Sequence, residues 1–274
     1  MSEHLVSVVL KTGLELPIPH APRGRGLLAG RSVLVTAAAG TGIGFATARR
    51  CAQEGAEVML SDRHEARLAE CADRLAREIG RPVAHRVCDV RSDAEVRATV
   101  AAAETRFGGL DVLVNNAGLG LTRPLVEIDD AEWTARLDVN LNGPFRAVRA
   151  ALPGMFERRR GSIINVSSIC AWRAEAGQTA YGASKAALLA FTRCVALEAA
   201  DHGVRVNAVV PSLSIHPHLE KVSSADFLAR MVRENEAFGR SAEPEEIGDA
   251  IVFLASDYAS YLTGEALSVS CRRA

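Results

Sequence analysis

Tyr181 and Lys185 stand four residues apart in the run Tyr-Gly-Ala-Ser-Lys, and Ser168 lies thirteen residues before the tyrosine. Residues four apart share one face of a helix. The ammonium of Lys185 can therefore lie beside the Tyr181 phenol and favour its ionised form. An ordinary tyrosine titrates near ~10, and each unit of depression corresponds to about 1.4 kcal/mol. Ser168 ends the apolar run 163–168, which reads as a buried strand. An acid/base phenol, a cation and a hydroxyl donor at one point can move a proton on and off a single reacting oxygen. Open α/β sheets bind ligands where a strand ends and a helix begins. A Tyr-x-x-x-Lys pair by itself is common in helices; its weight comes from the rest of the chain.

The run 33–36, Val-Leu-Val-Thr, leads into Ala-Ala-Ala-Gly-Thr-Gly-Ile-Gly over 37–44. Strand, glycine turn and helix follow in the order that a dinucleotide site needs. Glycines admit a pyrophosphate to the backbone and aim a helix N-terminus at it. Gly40, Thr41, Gly42, Ile43 and Gly44 are the candidate phosphate contacts. Asp62 follows about twenty residues on, where a carboxylate accepts hydrogen bonds from the adenosine ribose and repels a 2′-phosphate. This favours NAD over NADP. Arg63 works the other way, because it can reach a 2′-phosphate, and Thr41 brings no positive charge.

From Ser32 onward, short apolar runs alternate with amphipathic stretches, the pattern of a parallel sheet wrapped by helices. The expected strands are 32–36, 57–60, 83–87, 111–114, 162–166, 205–210 and 266–269. The expected helices are 43–53, 65–79, 93–107, 131–158, 180–200 and 244–255, with Gly143-Pro144 as a kink or boundary inside the fourth. Together these predict an α/β protein, a single Rossmann-type doubly wound parallel sheet of about seven strands. Residues 1–30, rich in proline and glycine, read as an extension without regular elements, lying over the domain 31–274 or at a subunit contact. Residues 211–240 interrupt the alternation after a strand and read as a substrate lid, helical from about Leu219.

Composition narrows the function. Net charge is −1 with pI near 6.7, which gives no case for nucleic acid or an anionic membrane. Arg158, Arg159 and Arg160 form the local exception and read as a solvated helix end. No run approaches the ~20 apolar residues of a membrane span, and the start lacks the basic and small-residue features of a signal peptide. Cys51, Cys71, Cys88, Cys170, Cys194 and Cys271 form no Cys-x-x-Cys pair and have no zinc spacing. They read as reduced thiols of a cytoplasmic protein without a metal site.

Taken together, these residues resemble the short-chain dehydrogenase/reductase family over nearly the whole span from Gly30 to Val269. Asn115-Asn116-Ala117-Gly118 matches the family's motif at the end of the fourth strand, which supports sheet and cofactor. Asn140 matches the asparagine that holds a water in the proton relay. Ser168, Tyr181 and Lys185 match the other three members of the catalytic tetrad. Asp89, followed by Val90, matches the acidic residue at the adenine. Val206-Asn207-Ala208-Val209 and Tyr261-Leu262-Thr263-Gly264 also match family segments. Two features depart from the pattern. The glycine turn is one residue longer, with alanines in place of the first glycine and Gly40 as a candidate for close approach. The family's Pro-Gly after the sixth strand is Pro211-Ser212 here, which leaves nicotinamide contacts to the backbone or Ser214.

The resemblance implies reversible hydride transfer between a secondary alcohol or ketone and NAD(H), with Tyr181 as acid/base. Lys185 would lower the phenol's pKa and hold the nicotinamide ribose, and Ser168 would bind the reacting oxygen. The turn and the Pro-Ser variant resemble an actinobacterial branch associated with steroid ring fragments carried as coenzyme A thioesters. Trp172 and Arg173 are placed to border the substrate, and His216 and His218 to sit in the lid. An NADPH-dependent 3-oxoacyl-type reductase, a dehydratase or epimerase using the same tyrosine, and a non-catalytic NAD(P)-binding regulator stay open as alternatives. Family members commonly form tetramers through the helices flanking the fifth strand, 140–158 and 180–200; the expectation here is a homotetramer or homodimer acting on a small molecule.

Overall fold

The computed structural model describes residues 22–120, 122–215, 219 and 224–271, together with the backbone of 7–9 and 15–17. Strands β1 (Ser7–Val9) and β2 (Glu15–Pro17) pair antiparallel, with Ser7 opposite Pro17. The expectation of an extension without regular elements is thus corrected. Pro17 sits at a strand end, where a missing N–H is tolerated.

The main sheet has seven parallel strands in the order β5-β4-β3-β6-β7-β8-β9. They are β3 (Ser32–Val35), β4 (Glu57–Asp62), β5 (Ala84–Val87), β6 (Val112–Asn115), β7 (Gly161–Val166), β8 (Val204–Pro211) and β9 (Ala266–Val269). The chain enters at β3, runs outward to β5, then returns to lay β6 on the other side of β3. The strand order therefore reverses between β3 and β6, and their carboxyl ends open a crevice there. Both strands are fully buried, as their unbroken apolar runs require of a sheet covered on two faces.

Successive side chains of a strand point to opposite faces. Val33 and Val35 face a core with Phe45, Leu68, Leu75, Ile247 and Ile251. Leu34 faces the other, with Val96, Val100, Ala147, Met155 and Val195. The first layer holds helices α1 (Ile43–Gln53), α2 (Glu65–Ile79) and, later in the chain, Pro244–Ala255. The second holds α3 (Asp93–Phe107), Gly143–Arg158 and Thr179–Ala200. The predicted helix 131–158 is two helices, α4 (Asp130–Leu137) and α5 (Gly143–Arg158), joined by a π turn over Asp138–Asn142. The remaining helices are α6 (Thr179–Ala200), α7 (Ala225–Asn235) and α8 (Pro244–Ala255). None of the helices among the described residues is long and apolar enough to cross a membrane.

The stretch before β3 is tied down. The buried Glu54 carboxylate accepts from the backbone N–H of Arg25 at 2.8 Å and Leu27 at 3.0 Å. Buried Arg50 pairs with Glu54 and Asp249 and donates to the Pro22 carbonyl. The arginines at the end of α5 are not simply solvated: Arg158 donates to the Leu110 carbonyl, Arg159 to that of Asp201, and Arg160 pairs with Asp111. They pin strand starts at the edge of the sheet opposite the crevice. A cavity of about 420 Å³ opens at that opposite edge, lined by Ser32, Glu57, Asp111 and Arg158 among others, remote from the catalytic candidates.

Candidate active site

Ser168 leaves β7 in an extended conformation and caps the short turn Ile169–Ala171, its Oγ accepting from Cys170 N at 3.2 Å. Tyr181 enters from the first turn of α6, half-buried, as a hydrogen-bond partner of the Ser168 hydroxyl. Lys185, one turn on and 2% exposed, donates from Nζ to the Val166 carbonyl at 2.7 Å. Its Nζ lies 5.7 Å from the centre of the Tyr181 ring. The strand end and helix start thus bring all three groups together.

Burial dominates their titration. It pushes the Tyr181 phenol up to about 12, with the Ser168 hydrogen bond pulling the other way. It holds the Lys185 ammonium down to about 8. Burial, not Lys185, is the largest influence on the phenol in this arrangement, with the ammonium turned toward the Val166 carbonyl.

Asn140 lies in the π turn, fully buried. Its Oδ1 accepts from Leu119 N at 2.7 Å, and its Nδ2 donates to Leu119 O at 3.1 Å and Ser184 Oγ at 2.9 Å. Both amide hydrogens of Asn140 are committed to protein. The side chain joins the loop after β6 to α6, while Ser184 caps back onto the Tyr181 carbonyl at 2.7 Å. A Cβ on Gly118 would stand 3.5 Å from Lys185 Nζ, so the glycine brings this loop against the lysine.

The crevice between β3 and β6 is bridged by Thr36, whose Oγ1 accepts from Asn116 N at 2.9 Å and Ala117 N at 3.1 Å. Asn116 Nδ2 returns bonds to the carbonyls of Thr36 and Ala37. Gly44 packs so closely that a Cβ would meet Ala37 O at 2.4 Å and Asn116 Nδ2 at 2.5 Å. Ala37 takes φ +51°, the left-handed backbone that a glycine adopts freely.

The lengthened turn bulges toward β4. Ala38 N donates to Ser61 O at 3.0 Å, and Ala39 N to Asp62 Oδ2 at 3.1 Å. The Gly40 carbonyl accepts from Arg74, whose guanidinium stacks 3.9 Å over Phe45. No atom stands within 4 Å of a Cβ on Gly40, so its openness faces away from protein. The bridging role of Thr36 and the contact of Arg74 escaped the sequence reading. Thr36 looked like a strand end, and Arg74 is one of several arginines on an amphipathic helix.

Asp62 is buried, its second oxygen accepting from His64 N at 3.0 Å, and Arg63 beside it is exposed. Asp89 is engaged by Arg91, which grips the carboxylate and holds it below its usual range. Ser92 caps α3. Val90 packs on Gly143. Pro211 ends β8 opposite Val269. Ser214 is 8% exposed and its hydroxyl has no partner among the described residues. Trp172 and Arg173 are exposed beyond Ser168, and the loops after β6 and β7 are stapled by Arg123 N to Gly177 O at 2.9 Å. His216 and His218, and much of the lid between Ile215 and Ser224, lie outside the described residues.

These groups fit a dinucleotide. Helix α1 starts at an uncapped Gly42 with no acidic residue in its first turn, leaving N–H donors for a pyrophosphate. Asp62 stands beside the turn, and the buried Ser214 hydroxyl after β8 lacks a partner among the described residues. No group of histidine, cysteine and carboxylate side chains that could hold a metal occurs among the described residues.

Fold and site define a class, the Rossmann-type oxidoreductases that act on hydroxyl and ketone groups. The family model described as enoyl-(acyl carrier protein) reductase matches residues 37–271. A (5R,7aS)-5-hydroxy-7a-methyl-1-oxo-2,3,5,6,7,7a-hexahydro-1H-indene-carboxyl-CoA reductase of Mycobacterium tuberculosis is 54% identical over 256 residues, 93% of this chain and 97% of its own length. The crystal structure of a short chain dehydrogenase from Mycobacterium smegmatis superposes with a TM-score of 0.83 at 48% identity, over 93% of this chain and 98% of that one. An NAD+-bound xylitol dehydrogenase superposes with a TM-score of 0.83 at 30% identity, over 89% of this chain and 99% of that one. The chain belongs to the short-chain dehydrogenase/reductase family, whose members bind NAD(P)(H).

Proposed function

We propose that this enzyme reversibly reduces a ketone on a steroid-derived ring fragment carried as a coenzyme A thioester, using NADH. The observation that carries the reading is the meeting of Ser168, Tyr181 and Lys185 at the end of β7. The 54% identity to a reductase of a bicyclic CoA thioester supports the substrate class. The bound nicotinamide would supply or take up the hydride. Tyr181 would give its proton to the ketone oxygen, and its raised pKa keeps that proton in place at neutral pH. Ser168 would hold the same oxygen by a hydrogen bond. Lys185 would place its charge beneath the phenol and the nicotinamide ribose. In the oxidative direction the phenolate needs further positive charge, which an oxidised nicotinamide ring brings.

Asp62, buried at the end of β4, supports NADH over NADPH. Gly40–Gly44, Asp89, Val90, Asn116, Ala117, Gly118, Pro211 and Ser214 are the remaining proposed cofactor contacts. The exposed apolar side chains Phe145 on α5 and Leu197 on α6 support assembly into a dimer or tetramer through those helices. Residues 31–274 form the proposed catalytic domain, preceded by the extension 1–30, and the reading places the enzyme in the cytoplasm with the CoA pool.

The test is to titrate the protein with NADH and NADPH by nicotinamide fluorescence, then to follow cofactor consumption with ketone-bearing CoA thioesters. NADH consumption that disappears in Tyr181→Phe supports the reading. Binding without any turnover on ketones or alcohols favours a regulator, and a preference for NADPH makes Arg63 the selector.

A further inference from the structure

The turn after β8 is fastened by a side chain that no part of the mechanism uses. Glu236 follows the last residue of α7 and is 1% exposed. Among the described residues no cation pairs with it. Its Oε2 accepts from Ser212 Oγ at 3.1 Å and Cys271 Sγ at 3.2 Å, and its Oε1 accepts from Leu213 N at 3.4 Å. The backbone reinforces the same junction: Ser212 N donates to Val269 O at 3.1 Å, Ala237 N to Cys271 O at 2.8 Å and Ala242 N to Leu213 O at 2.8 Å. A buried carboxylate without a cation is costly unless its hydrogen bonds do something specific. Here three neutral donors from two segments converge on it, and two of them belong to the turn itself. Ser214, whose buried hydroxyl lacks a partner among the described residues, follows directly.

We propose that Glu236 is the positioning residue of this turn, setting through Ser212 and Leu213 where Ser214 meets the nicotinamide end of the cofactor. This rests on the dinucleotide reading of the crevice. The base of the lid and the cofactor-facing turn then form one unit. A change in α7 reaches the nicotinamide through the carboxylate, without touching the pyrophosphate or the adenosine.

ADP-ribose, which lacks the nicotinamide ring, separates positioning from general stability. Glu236→Ala and Ser212→Ala are each expected to weaken NADH binding about tenfold, the worth of one hydrogen bond to a charged group. ADP-ribose affinity is expected to stay within twofold. The double variant should lose little more than either single one, because both remove the same contact. Glu236→Gln, which keeps an acceptor for Leu213 N, should recover most of the affinity. Equal weakening of NADH and ADP-ribose, or unchanged NADH binding in folded Ser212→Ala protein, overturns the proposal. Ser212→Ala decides the matter alone if Glu236→Ala fails to fold. Wild-type protein that binds neither NADH, NADPH nor ADP-ribose overturns the dinucleotide reading instead.

Discussion

Replacing Asp62 by asparagine tests the cofactor end of the site with almost no change in shape. The carboxylate accepts one backbone N–H on each oxygen, from Ala39 and from His64. An amide can serve only one of them, and the other N–H faces an NH2 group. That mismatch costs about 1–3 kcal/mol. At roughly 2–4 °C per kcal/mol for a domain of this size, Tm falls by roughly 2–12 °C. The cofactor effect is separate. A 2′-phosphate about 5 Å from the carboxylate feels roughly 3 kcal/mol of repulsion per charge at an effective dielectric constant near 20. Solvent screening reduces this, so removing the charge should move the NADPH/NADH affinity ratio by between ten- and a hundredfold toward NADPH. The assay is paired fluorescence titration of wild type and Asp62→Asn, with Tm followed by calorimetry. A ratio that shifts by less than threefold while Tm falls as expected refutes Asp62 as the selector.

Tyr181→Phe should lower turnover by about 10²–10⁴-fold, the usual worth of a general acid, and leave NADH affinity within twofold by titration. Ala37→Gly should raise Tm by about 1–3 °C: the left-handed φ of +51° strains alanine by roughly 1–2 kcal/mol, partly offset by the greater freedom of glycine in the unfolded chain; a lower Tm contradicts the strain. Lys185 titrates near 8 when folded against 10.5 for the free side chain. Between those values the unfolded chain keeps a proton that the folded chain releases, so stability rises with pH through this window. Lys185→Met should therefore be more stable than wild type below pH 8, with the advantage fading as pH climbs to 10.5. A constant difference across denaturant melts at several pH values contradicts the burial argument.

The helices were legible where the chain punctuates them. Gly80 and Gly108 end α2 and α3 in left-handed caps, and Pro244 opens α8, so their bounds follow from local chemistry. The π turn around Asn140 had no such mark. It arises because Asn140 bonds Leu119 and Ser184, partners 21 and 44 residues away. The pairing of β1 and β2 was hidden by the proline-rich run, of which Pro17 proved compatible with a strand end. Residue types and spacing revealed Ser168, Tyr181 and Lys185. They did not reveal the phenol's pKa, because burial is a property of the assembled sheet. Glu236 was illegible for the same reason: a glutamate after a helix looks like surface until Ser212 and Cys271 close around it.

The hydroxyl of Thr36 receives two backbone N–H groups from the loop after β6. The first turn and the loop beside Lys185 are thereby welded along one seam. An extra residue in the turn has only one direction in which to be absorbed, outward to Ser61, Asp62 and Arg74. Loop length can thus drift at the Asp62 end of the crevice while the distances around Tyr181 stay put. On the proposed reading, cofactor preference and proton transfer are then separable traits, each open to retuning without the other.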